Sequence, residues 1–127
     1  MALGKQTGAF AFKATSLTVT PGPGKAMTMQ ANFEGPQTGD VTAAAYGTLT
    51  VMIEPGAKTG PWRWAGVALL ENGDNMNATG EGTWERTSPK AARYRGIAQF
   101  SDGSTAAVEA DLHVDERSMA GKLYEWK

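Results

Sequence analysis

The sequence predicts an all-β fold, an eight-stranded antiparallel up-and-down β-barrel built as a single domain over residues 1–127. Three observations predict it. About eight runs of alternating apolar and polar residues fill the chain almost from end to end. Seven clusters of turn residues divide them, at 21–24, 35–40, 54–61, 71–75, 88–90, 101–104 and 115–118. No segment shows sustained helical periodicity. An even set of sequential hairpins can close on itself and so remove the unpaired edges of an open sheet. Closure also encloses an interior, where a small β-protein can hold a ligand.

The first strand is expected from Thr7 to Thr20, long enough to need a bend or bulge near Ala14–Ser16. Phe10 and Phe12 share one parity, whereas Leu17 and Val19 have the other, the change that one extra residue in a strand produces. The second strand, Ala26 to Glu34, alternates Met27, Met29, Ala31 and Phe33 against Thr28, Gln30, Asn32 and Glu34. The third, Val41 to Ile53, has the cleanest two-faced pattern. In the fourth, Trp62 to Leu70, Trp62 and Trp64 lie on one face while the other carries Val67 and Leu69. Apolar residues on both faces mean that the outer one meets another surface.

The fifth strand, Met76 to Arg86, aligns Met76, Gly80, Gly82 and Trp84. Paired inner glycines suit the sharp coiling that barrel closure demands. The sixth, Ala92 to Ser101, sets Tyr94 and Phe100 on the face opposite Arg93 and Arg95. The seventh, Thr105 to Val114, sets Ala106, Val108, Ala110 and Leu112 against Glu109, Asp111 and His113. The eighth runs from Met119 to Trp126 and carries Glu125 on the face of Leu123.

Register at the turn 101–104 decides where the acid–base groups go. A two-residue Asp102-Gly103 turn sets Phe100 opposite Thr105 and turns Glu109, Asp111 and His113 inward beside Tyr94. That arrangement is a candidate catalytic cluster. A three-residue loop with Gly103 left-handed sets Phe100 opposite Ser104 and turns Ala106, Val108, Ala110 and Leu112 inward instead. The second register is preferred, because it leaves the carboxylates in water and avoids their desolvation.

Composition narrows the chemistry. The chain carries 12 basic and 13 acidic residues in mixed order, for a net charge of −1, so it has no basic stripe for nucleic acid. Only Trp62-Arg63-Trp64 interleaves aromatic and basic side chains. With no Cys and a single His, neither a thiolate nucleophile nor a zinc site is expected. Phosphate-loop, dinucleotide and Gly-x-Ser-x-Gly signatures are missing, and no cofactor is expected. Gly22-Pro23-Gly24-Lys25 reads as a turn. No run approaches membrane-spanning length and Met1–Gly8 has no long apolar run after its one Lys, so the cytoplasm is the expected compartment and no membrane partner is expected.

Gly80-Glu81-Gly82-Thr83-Trp84 contains the Gly-x-Trp of calycin-like barrels such as lipocalins, but on the fifth strand rather than the first. It reads as a coiled strand with a large core side chain. Together with Phe33-Glu34-Gly35, Tyr46-Gly47-Thr48-Leu49 and Tyr94-Arg95-Gly96, this segment resembles the allene oxide cyclase-like barrel superfamily. That superfamily includes plant dirigent proteins and some polyketide cyclases. The resemblance implies an eight-stranded antiparallel barrel, frequent oligomers, and the steering of apolar substrates through cyclisation or coupling without a cofactor. It assigns no catalytic residue.

Two functions are expected to compete. In the first, Met27, Met29, Trp62, Trp64, Met76, Trp84, Tyr94 and Phe100 line a site for a small hydrophobic molecule, as a binder or a cofactor-independent cyclase or isomerase. The candidate catalytic groups are Tyr94, Glu109, His113 and Glu125. In the second, those side chains fill the barrel, and the outer rows, notably Val67 and Leu69, make a homo-oligomeric interaction module.

Overall fold

A computed structural model describes residues 3–126. Eight strands follow one another and close: β1 (Leu3–Pro21), β2 (Met27–Gly39), β3 (Ala43–Ile53), β4 (Thr59–Leu70), β5 (Asn75–Ser88), β6 (Ala91–Phe100), β7 (Thr105–His113) and β8 (Ser118–Trp126). Each pairs antiparallel with its neighbours in sequence, and β8 pairs with β1. We call the end with the β2–β3, β4–β5 and β6–β7 turns the upper end, and the opposite one the lower.

The bulge lies where the parity change puts it. The β1–β2 register shifts between Ala14 and Ser16. Phe12 is therefore buried inside, and beyond the shift Leu17 and Val19 stand opposite Ala31 and Met29 on the same face.

Two strands are longer than the turn residues suggested. The segment 35–39, read as a turn, continues β2, because β1 reaches back far enough to pair Gly8 with Gly39 and Phe10 with Gln37. No β1 partner is paired with Gly35 or Pro36, so the missing proline N–H costs no ladder bond to β1. Residues 59–61 likewise open β4: Pro61 pairs with Thr83 of β5, and the β3 ladder ends one residue later at Trp62. The third strand begins at Ala43 rather than Val41.

Aromatic–glycine pairing organises the interior. Trp62 stands opposite Gly82, Trp64 opposite Gly80, Trp84 opposite Gly60, and Phe33 opposite Gly47. The three indole rings cover glycine backbone, Trp62 at Gly80 and Gly96, Trp64 at Gly47 and Gly66, and Trp84 at Gly60, and a methyl group added at Gly96 would meet the Trp62 ring at 2.7 Å. At the directly paired Gly82 and Gly96 an added Cβ would also strike the carbonyl of Arg95 or Glu81, respectively, on the facing strand, which marks a tight coil. The rings then meet one another. Phe12 and Trp64 stack with centroids 5.7 Å apart, and Trp62 meets Tyr94 at 6.0 Å.

The β6–β7 turn is the three-residue form. Gly103 has φ +91°, Phe100 N donates to Ser104 O at 2.9 Å, and Gln99 pairs with Thr105. Ala106 and Ala110 are therefore buried inside, and Glu109, Asp111 and His113 lie on the outer face.

Candidate functional site

The interior is divided in two. The upper cavity, about 80 Å³, is bounded by Phe10, Trp62, Trp64, Met76 and Phe100. The lower one, about 120 Å³, is bounded by Met29, Val51, Trp84, Ala92 and Leu112, with Arg86 and Lys90 among its lining residues. Leu49 and Tyr94 touch both and form the partition. Trp62 leans on Tyr94 from the side. Ligand pockets for drug-sized molecules run to roughly 300–1,000 Å³, and an engineered apolar cavity of about 150 Å³ takes up benzene. Both spaces therefore suit a molecule of few heavy atoms, or a larger one that displaces side chains. Met29 and Met76, one in each cavity, are the walls most able to yield.

The hydrogen-bonding groups of this layer differ in a useful way. The Trp62 indole N–H donates to two backbone carbonyls, Thr83 O and Arg95 O, each at 3.1 Å. It is satisfied by the sheet itself. The Trp84 indole N–H is buried and has no acceptor among the described residues. Tyr94 is only 5% exposed, and burial holds its hydroxyl well above the ordinary tyrosine range. It stays a neutral donor at any physiological pH. The middle of the barrel thus presents donor groups among apolar walls, and the buried residues include no charged side chain among those described.

Of the residues expected to line a ligand site, Trp62, Trp64, Met76, Tyr94 and Phe100 border the upper cavity, and Met29, Trp84 and Tyr94 the lower. Met27 borders neither; it lies half-exposed beyond the barrel wall, opposite Pro21 and Ile53. The candidate acid–base groups do not converge. Glu109 accepts from Arg95 Nε at 3.1 Å on the outer face, beside the Arg93–Asp111 pair at 3.0 Å. His113 is exposed at the lower end of β7. Glu125 belongs to the upper mouth, with Asp40, Asp102 and Ser104. Tyr94 faces the interior between the two cavities, whereas Glu125, opposite Ala106, reaches the inner face only at the mouth. Sequence reasoning passed over Leu49 as a site residue, although it alternates with Gly47 and Val51 on the inner face of the third strand. Its place in the partition depends on the depth to which β6 carries Tyr94.

Comparison with protein-family models, curated proteins and solved structures finds no match to this chain. What the fold defines is a closed eight-stranded barrel with an apolar, nearly filled interior.

Proposed function

We propose that the protein binds a small apolar molecule carrying one hydrogen-bond acceptor, in the lower cavity beneath Tyr94. One observation carries this reading: a buried indole donor, Trp84 Nε1, has no acceptor among the described residues, and Trp84 is part of the wall of the lower, apolar cavity. An unsatisfied buried donor costs about 1–3 kcal/mol, and a carbonyl or ether oxygen supplied by a ligand would recover part of that cost. If the bound molecule is also converted, the work falls to Tyr94. Its neutral hydroxyl suits donation to a carbonyl oxygen in a cofactor-independent isomerisation or cyclisation. Glu109 and His113 lie on the other side of the sheet and take no part.

The second reading is a filled barrel that serves as an oligomeric interaction module. The small cavities favour it, as do Tyr46, Val67 and Leu69, which stay exposed on the outer face of β3 and β4. A panel of small ketones, lactones and matched hydrocarbons separates the two. On the binding reading a ketone raises the melting temperature and perturbs Trp fluorescence, because it binds only the folded state. Its hydrocarbon analogue binds more weakly, and Trp84→Phe narrows the difference. A panel in which nothing shifts the melting temperature supports the filled module.

A further inference from the structure

We propose that two copies of this chain join edge to edge through residues 15–21 of β1, in an antiparallel pairing about a two-fold axis at Thr18. The barrel closes incompletely at its lower end. The β1–β8 ladder stops at Lys13 opposite Ser118, with a last bond from Ala14 N to Arg117 O at 2.8 Å. On its other side β1 stays paired with β2 as far as Pro21 opposite Met27. Six residues of β1, Ser16–Pro21, are therefore paired along one edge only, and the bulged Thr15 has no ladder partner among the described residues. All seven are exposed. An edge of this kind presents backbone N–H and C=O groups to any strand that can approach.

Natural proteins protect such edges with Lys, inward charges or proline. This one carries no charged residue between Lys13 and Lys25, and its only proline before the turn is Pro21, at the very end. The segment Thr15-Ser16-Leu17-Thr18-Val19-Thr20 consists mostly of β-branched residues, which favour strand pairing. Its apolar members are also uncovered: Leu17 is 58% exposed and Val19 53%. Unpaired backbone and exposed apolar side chains thus fall on the same short stretch.

The occupant follows from the sequence of the edge. Directly opposed residues share a face, so a partner must offer apolar residues at alternate positions in an antiparallel strand. A second copy does so when Thr18 meets its own counterpart. Leu17 then lies opposite Val19 of the partner subunit, and Val19 opposite Leu17 of the partner subunit. Ser16 pairs with Thr20 on the other face. A shift of two residues towards the N-terminus would bring in Ala14, whose N–H is already bound to Arg117. The contact is isologous, so it closes at two subunits. It joins two arms into one continuous sheet whose inner face gathers Leu17 and Val19 from both copies.

The chain has no cysteine, so a single introduced thiol reports its own neighbourhood. The expected result is that Thr18→Cys cross-links to a covalent dimer with a short bismaleimide, while Val67→Cys on the outer face does not. Sedimentation of the otherwise unaltered protein over a concentration series is expected to show a monomer–dimer equilibrium. The double variant Leu17→Lys with Val19→Lys is expected to lose the dimer while keeping the wild-type circular dichroism spectrum, since both side chains are exposed and the new charges repel across the axis. A strictly monomeric wild type overturns the proposal. So does cross-linking through Val67→Cys alone, which places the second copy on the outer face, and so does a dimer that survives both lysines.

Discussion

The β4–β6 wall and the lower arm of β1 and β2 are built from the same alternation of apolar and polar residues, yet their apolar side chains meet different fates. In the wall, Trp62 is 5% and Trp84 4% exposed. Each of these strands is paired on both edges, and each ring lies over glycine backbone on the next strand. In the arm, Leu17, Val19 and Met27 are all exposed. They share the inner face with Met29 and Ala31 but sit towards the lower rim, where Leu17 and Val19 have lost their β8 neighbour and Met27 opposes the last residue of β1. Alternation decides which face of a strand is apolar. Whether that face is buried depends on a second edge being paired and on the sheet curving back over it.

The largest effect that would sharpen this contrast is expected at Trp62. Trp62→Ala removes a ring that touches both the Tyr94 partition and the Gly96 backbone, and is expected to cost about 3–5 kcal/mol, read from denaturant unfolding. A loss below about 1 kcal/mol would mean that the wall is no better packed than the arm.

A smaller difference is expected within the wall. Trp62→Phe breaks two hydrogen bonds and leaves the Thr83 and Arg95 carbonyls without that donor, whereas Trp84→Phe deletes a donor that has no partner among the described residues. The first is therefore expected to be the more destabilising, by about 1–2 kcal/mol. Equal losses in the two unfolding curves would show that the hydrogen bonds of Trp62 contribute nothing net.

The smallest effect is expected in the arm. Leu17→Ala is expected to change the unfolding free energy of the monomer, measured in dilute solution, by no more than about 0.5 kcal/mol. A cost of 2 kcal/mol or more, the range of buried Leu→Ala changes, would erase the distinction between arm and wall.

Much of this barrel can be read along the chain. The opposite parities of Phe12 and Leu17 locate the bulge, and Ser101-Asp102-Gly103 followed by an alternating strand favours the turn that keeps Glu109 and His113 outside. Both are local signals, carried by residues within a few positions of one another. The candidate site was less legible. Met27 has the same alternation as Met29, but it opens its strand at the lower rim, opposite Pro21, the last residue of β1. Leu49 shares a partition with Tyr94 although the two lie on non-adjacent strands.

The sequence by itself determined the number of strands, their order, and which face of each is apolar, because period-two patterning and turn chemistry act over short separations. Only the tertiary structure decided where the ladders stop. It extended β2 through Gly35 and Pro36, because β1 runs far enough back to pair with it. It split the interior into two small cavities, because the heights of Leu49, Trp62 and Tyr94 depend on the stagger between strands. It left one edge of β1 open, because a strand of 19 residues closes against one of 9. Stagger and strand-length mismatch are properties of the closed sheet, fixed by how eight strands fit together around a common core.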